Sequence, residues 1–164
     1  MATVRAPRSS VTARNSAPVT VEEVDTSFLE TLLGYNARRA ALAAITVFLE
    51  EMAPFQLKPV EFSVLSVIAH NPGVTSRQLC SALGILPPNL VGLVNGLEKR
   101  EVIARKPHPR DGRAMGLHLT PAGQKLVRDA EKKAAELEAN IGARLSPSEL
   151  RTLIALLKKI YRPG

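Results

Sequence analysis

The chain has one cysteine, Cys80, among 164 residues, which excludes an intrachain disulfide framework and fits a reducing, cytoplasmic setting. It has no tryptophan, and aromatic residues make up only 4% of it. Its three histidines, His70, His108 and His118, stand at no spacing that would hold a metal. With no second cysteine a zinc site is not expected, and the chain supplies little from which the convergent acid, base and nucleophile of an enzyme could be built. No apolar run approaches the roughly 18 residues of a membrane span, and no repeat has the period of a solenoid or propeller. These absences predict a non-enzymatic protein with no metal, no cofactor and no membrane partner.

What is present is basic charge, unevenly placed. The formal net charge is +7 and 45% of residues are hydrophobic, enough for one core. The first 21 residues hold Arg5, Arg8 and Arg14 and no acid. Such a stretch loosely resembles a transit peptide, but a disordered basic tail over residues 1–25 is the preferred reading. Between Lys99 and Arg113 the bases Lys99, Arg100, Arg105, Lys106, Arg110 and Arg113 face only Glu101 and Asp111. A short segment with that surplus is either a solvated basic hairpin or an anion-binding surface, for which a phosphate backbone is the common partner.

Prolines mark the element boundaries. Apolar positions Leu33, Ala37, Ala40, Ala41, Ala44, Phe48 and Met52 predict one long amphipathic helix over residues 26–52. A second helix opens at Pro59 and ends near His70, with Val60, Val64, Leu65 and Ile68 inward. After an Asn71-Pro72-Gly73 turn, Thr75 and Gln78 form a capping box, Val74 and Leu79 a hydrophobic staple, and Gly84 ends the helix. Residues 87–100 form the next helix, lined inside by Leu90, Leu93, Val94 and Leu97. Residues 102–106 and 114–119 read as strands, with Met115, Leu117 and Leu119 alternating against Gly116 and His118, joined by a turn-rich basic tip. Thr120 and Pro121 open a helix whose stripe is Leu126, Ala130, Ala134, Leu137, Ile141 and Leu145. Ser146 and Glu149 then cap a last helix carrying Leu150, Leu153, Ile154, Leu157 and Ile160.

Two short helices joined by a tight turn and followed by a basic hairpin are the parts of a winged helix-turn-helix. The fold class expected is therefore mainly α with a small β-hairpin wing, attached to a helical dimerisation body. In such a fold the second short helix enters the major groove of double-stranded DNA and the hairpin reaches the adjacent minor groove. The segments Gly34-Tyr35-Asn36-Ala37-Arg38-Arg39, Thr75-Ser76-Arg77-Gln78-Leu79-Cys80-Ser81-Ala82-Leu83-Gly84, Arg110-Asp111-Gly112-Arg113 and Leu117-His118-Leu119-Thr120-Pro121-Ala122-Gly123 resemble the multiple antibiotic resistance regulator (MarR) family. The resemblance covers residues 26–160, and its most specific part is the Asp-x-Arg tip followed by Leu-x-Leu-Thr-Pro-x-Gly.

The resemblance implies a single domain over residues 26–162. Within it, residues 55–119 form the winged core, and helices 26–53, 120–144 and 147–161 interlock with a second copy as a homodimer. It also implies that Arg113 reaches into the minor groove, flanked by Lys106, His108 and Arg110; an Asp111–Arg113 pair that shapes the tip is the alternative. The reading helix departs from the family pattern. No arginine lies on its outer face before Arg100, and Gly92 and Gly96 there each cost about 0.5–1 kcal/mol relative to alanine. Asn89 and Asn95 suit adenine edges, and Pro88 and Gly92 suit thymine methyls. With Thr75, Ser76, Arg77, Gly96 and Lys99 they complete the candidate DNA contacts, and specificity is expected to lean on DNA shape. Glu101 also departs, since the family commonly places glycine there to end the helix.

Family members commonly bind aromatic acids or their thioesters between dimer body and DNA-binding lobe, releasing DNA. By position the resemblance assigns Tyr35, Arg38 and Phe62 to that cleft, with Arg38 pairing a carboxylate; core packing and a surface salt bridge are the structural alternatives. Cys80 is read as a buried small hydrophobe. The function expected is a ligand-responsive repressor; a winged-helix protein-interaction module or a sequence-indifferent nucleic-acid binder is the alternative.

Overall fold

The computed structural model describes residues 23–108 and 111–162, without the side chains at positions 108, 111–114 and 139. The chain divides into two compact units, Met1–Asn36 and Ala37–Gly164. Of the expected tail, residues 1–22 lie outside the described part.

The first helix is not continuous. A four-residue helix α1 (Ser27–Glu30) is separated by Thr31 and Leu32 from α2 (Leu33–Glu51). Thr31 Oγ1 donates to the Phe28 carbonyl at 2.8 Å, and Asn36 Nδ2 donates to the carbonyls of Glu30 at 2.7 Å and Leu32 at 2.8 Å. Side chains thus satisfy the carbonyls that a break leaves open, a local competition that apolar periodicity does not register.

In the second unit a 3-10 turn, Ala53–Phe55, precedes α3 (Pro59–His70), where Pro59 fits the first turn and the Glu61 carboxylate accepts from the Lys58 amide at 2.8 Å. Helix α3 buries Val64, Leu65 and Ile68, while Val60 is only half-buried. A two-residue strand β1 (Val74–Thr75) then runs into α4 (Ser76–Leu83), and a turn leads to α5 (Pro87–Lys99). The capping box is present: Gln78 Oε1 accepts from the Thr75 amide at 2.9 Å, and Thr75 Oγ1 accepts from the Gln78 amide. Gly84, at φ 63°, closes α4 in the left-handed conformation that glycine adopts without strain.

Strands β2 (Ile103–His108) and β3 (Asp111–Leu119) form the hairpin, extended beyond expectation toward the tip, by two residues in β2 and three in β3, while β2 begins one residue later than expected. The sheet order β1-β3-β2 adds a third strand that the sequence does not announce, because two residues carry no period. Val74 pairs with Leu117 and Thr75 with Gly116. The expected alternation holds at Leu117, which is buried, and at Leu119, which packs against the core, but fails at the two residues before them. Gly116 is buried, since a β-carbon there would lie 2.7 Å from the Gly73 carbonyl oxygen, whereas Met115 is 44% exposed.

The end of α5 bonds the Glu101 amide to the Glu98 carbonyl at 2.8 Å and the Val102 amide to the Leu97 carbonyl at 3.2 Å. This is a Schellman ending with Glu101 at φ 57° where glycine is favoured. A left-handed residue with a side chain costs about 1–2 kcal/mol. Beneath it Leu97 and Val102 are both buried, which offsets that strain.

Helix α6 (Pro121–Ile141) begins on this same ending. The Thr120 amide donates to the Val102 carbonyl at 3.1 Å and Thr120 Oγ1 donates to the Glu101 carbonyl at 2.7 Å. Thr120 Oγ1 also accepts from the Gly123 amide at 3.0 Å, and a β-carbon on Gly123 would overlap the Val102 carbonyl. Glycine is required there by space, not by φ. Helix α6 buries Val127, Ala130 and Leu137 and stops at Ile141, so Leu145 belongs to the following turn and not to the helix stripe.

Helix α7 (Pro147–Tyr161) has the expected Ser146–Glu149 capping box, whose backbone and hydroxyl hydrogen bonds hold the Glu149 carboxyl below its ordinary range. Its apolar stripe is not absorbed by the chain: Leu153, Ile154, Leu157 and Ile160 are all exposed, Ile160 by 61%. Leu42, Ile45 and Leu49 of α2 are likewise exposed. The core lies elsewhere, in one cluster joining Met52 and Leu57 to the inner faces of α3, α4, α5, the sheet and α6. Among the described residues no single helix is long and apolar enough to cross a membrane.

Candidate nucleic-acid interface

Helix α5 is two-faced. Leu90, Val94 and Leu97 are buried, Leu93 is half-buried, and Pro88, Asn89, Val91, Gly92, Asn95 and Lys99 face solvent. Two prolines at its start carry no amide hydrogens, and that loss is harmless in the first turn, where those donors have no helical partner. Ordinary β-carbons at Gly92 and Gly96 would meet nothing within 4 Å. No contact among the described residues explains either glycine.

The preceding helix contributes exposed Ser76 and Arg77, while Thr75 is half-buried in its capping box and in the sheet. Between α4 and α5 lies a cleft of about 260 Å³ lined by Ser76, Arg77, Cys80, Pro87, Leu90 and Val91. Cys80 is half-buried on its wall, packed against the core on one side and open to the cleft on the other. It packs as the small hydrophobe expected from sequence but is only half-buried.

The hairpin stands beside α5 and is tied to it. Arg105 Nη2 donates to Asn95 Oδ1 at 2.7 Å and pairs with Glu98 Oε2 at 2.9 Å. A second tie links the helix end to the rest of the lobe: Arg100 lies 3.7 Å from the Glu61 carboxylate and 3.4 Å from the Phe55 carbonyl. Reading helix and wing base are thus brought together, and the outer face of the helix is open.

Arg105 was counted for its charge but missed as an interface residue. The available signal was strand period, since it shares a face with buried Ile103 two residues earlier. Its neighbour Lys106 alternates to the other face, where it lines a cavity of about 360 Å³ with Pro72, His118, Gln124, Arg128 and Glu131. Glu131 in that cavity accepts from Ser66 Oγ at 2.6 Å and lies 3.1 Å from His70 Nε2.

At the wing tip, Pro109 and Arg110 lie outside the described residues, as do the side chains of His108, Asp111 and Arg113. The expected minor-groove arginine and the alternative Asp111–Arg113 pair both fall there. Of the residues expected at an effector cleft, Phe62 packs on Phe48 with ring centroids 5.7 Å apart, Arg38 is exposed on α2, and Tyr35 is half-buried. Among the described residues no cluster of three or more metal-ligating side chains occurs.

Known proteins share this arrangement. The model of the MarR family matches residues 55–114. A protein of Thauera aromatica assigned to transcriptional regulation of the hcr operon is 35% identical over 131 residues, covering 79% of this chain and 79% of its own. The transcriptional repressor CouR, solved bound to a 23-mer DNA duplex, superposes with a TM-score of 0.80 at 35% identity over 85% of this chain and 99% of its own. CouR bound to p-coumaroyl-CoA gives 0.79 at 34% identity over 87% of this chain and 100% of its own. With the open reading helix, the wing tied beside it and this extent of likeness to such regulators, the chain belongs to the MarR family.

Proposed function

We propose that the chain is a ligand-responsive DNA-binding repressor that acts as a homodimer and catalyses no reaction. The observation that carries this reading is the solvent-facing side of α5, with Pro88, Asn89, Gly92 and Asn95 open beside a wing strand bonded to the same helix. Thr75, Ser76, Arg77, Gly96, Lys99, Lys106, His108, Arg110 and Arg113 supply the surrounding backbone and minor-groove contacts. The exposed apolar stripes of α7 and α2 are the surfaces that a second copy covers. By analogy with CouR, an aromatic acid or its coenzyme A thioester is the effector, with Tyr35, Arg38 and Phe62 as candidate contacts.

The test is selection of duplexes from a random-sequence library, followed by titration across salt concentration. The selected duplex should bind at least ~10³-fold more tightly than random duplex, and p-coumaroyl-CoA or a related aromatic thioester should release it. Equal affinity for both duplexes would mean a sequence-indifferent binder. No binding at low salt would favour a protein-interaction module.

The two open glycines give a second expectation. Gly92→Ala and Gly96→Ala should each stabilise the free protein by about 0.5–1 kcal/mol, because alanine restricts the unfolded chain and meets no obstacle in the folded one. The same methyl groups should weaken binding to the selected duplex, since they occupy space that a groove wall needs. Melting curves and titrations of the same samples check both signs. Variants that melt higher and bind unchanged would show that this face does not approach DNA closely.

A further inference from the structure

We propose that Arg105 is a positioning residue for base recognition: from the wing strand it grips Asn95 and Glu98, turning the Asn95 amide outward as a hydrogen-bond donor. This inference rests on the DNA-binding reading above.

The chemistry of the grip fixes its direction. A guanidinium has only donors, so the Asn95 amide must face it with the carbonyl oxygen, and the distance of 2.7 Å is that of a charge-assisted bond. The amide NH₂, which donates to no described residue, is then the outward end of an exposed side chain on the outer face of α5. Left to itself an exposed asparagine turns freely and offers either end. Held by Arg105, it offers N–H groups to base-edge acceptors such as purine N7, guanine O6 or thymine O4.

Glu98 completes the device. Its carboxylate, 2.9 Å from the same Nη2 and on the same helix one turn further along, offsets the charge of Arg105. An arginine so paired is poorly suited to act as a phosphate clamp. It is well suited to set the spacing between the reading helix and the wing, because one nitrogen bonds two side chains of α5 from β2. A phosphate contact and a positioning role therefore differ in a measurable way: only the first changes the salt dependence of binding, by a slope of about 0.9 per phosphate.

The experiment titrates wild type, Arg105→Met, Arg105→Lys, Asn95→Ala and the double variant Arg105→Met/Asn95→Ala. Each is measured against a duplex that the wild type selects from a random library and against random duplex, across salt, with melting curves to verify folding. Arg105→Met should reduce preference for the selected duplex roughly tenfold, with little change on random duplex and little change in salt slope. Asn95→Ala should cost about as much, and the double variant no more than either single one. Arg105→Lys keeps the charge but lacks the planar fork, and should lose preference too.

Parallel losses on both duplexes with a slope change near 0.9 per site would overturn the proposal in favour of a phosphate contact. So would additive losses, or an Arg105→Lys variant that reads sequence as the wild type does. If Arg105→Met fails to fold, Arg105→Lys decides the matter alone. A wild type that selects no duplex overturns the repressor reading itself, a separate failure visible before any variant is made.

Discussion

Leu153→Asp combined with Ile160→Asp on α7 is expected to give a folded monomer that has lost at least ~10³-fold in affinity for the selected duplex. Both residues lie on one helix face, seven positions apart, and both are exposed in the single chain, Leu153 by 42% and Ile160 by 61%. They therefore contribute little to the fold of one chain. In the proposed homodimer they are covered, and burying each such side chain would stabilise association by about 1.5–3 kcal/mol. Aspartate reverses this, because a carboxylate taken out of water without a partner costs several kcal/mol more. Aspartate is also too short to reach solvent as lysine can. Two symmetry-related copies double each effect. A monomer keeps only half of the base contacts and phosphate charge that a dimer brings to an operator. Sedimentation equilibrium, circular dichroism and duplex titration check the three parts. A variant that still sediments as a dimer would remove α7 from the interface, and a monomer that binds as well as wild type would remove the dimer from the mechanism.

Gly123→Ala is expected to destabilise the fold by about 3 kcal/mol or more, lowering the melting temperature by about 6–12 °C. The added methyl would overlap the Val102 carbonyl, a backbone atom that already accepts from the Thr120 amide. No side chain can turn aside to make room. Either α6 moves off the end of α5 or the Thr120 bonds break, leaving carbonyls of the α5 ending without partners. The control is built into the chain, since Gly92→Ala makes the same chemical change where nothing lies within 4 Å. Opposite signs for the two substitutions are expected. Equal melting temperatures would show that the α5–α6 junction yields easily.

The contrast between these glycines shows what a sequence discloses. Caps are local, so the Thr75–Gln78 and Ser146–Glu149 boxes and the Gly84 stop were legible from a few neighbouring residues. The helix order and the hairpin were legible from periodicity and prolines. Gly123 was legible only as part of a family pattern, because its reason is a carbonyl 21 positions away in sequence. The break at Thr31 was hidden because the apolar stripe begins only at Leu33 and does not report on the residues before it, where the Asn36 amide bonds the Glu30 and Leu32 carbonyls. Strand β1 was hidden by its brevity, and Gly116, which pairs with its Thr75, lies in the interior. At the candidate site, the sequence offers Asn95 only as a side chain suited to adenine edges and Arg105 only as surplus charge. Only a fold that lays β2 along α5 couples the two.

The Thr120 junction carries a mechanical implication. Two adjacent peptide carbonyls, those of Glu101 and Val102, are bonded by one residue at the foot of α6, immediately after the base-reading helix ends. At that point the two helices are joined directly through these hydrogen bonds. Helix α6 has 21 residues, which makes it a rod about 30 Å long. A molecule wedged against its far half would swing the reading surface as a tiller swings a rudder, with no moving part required between them.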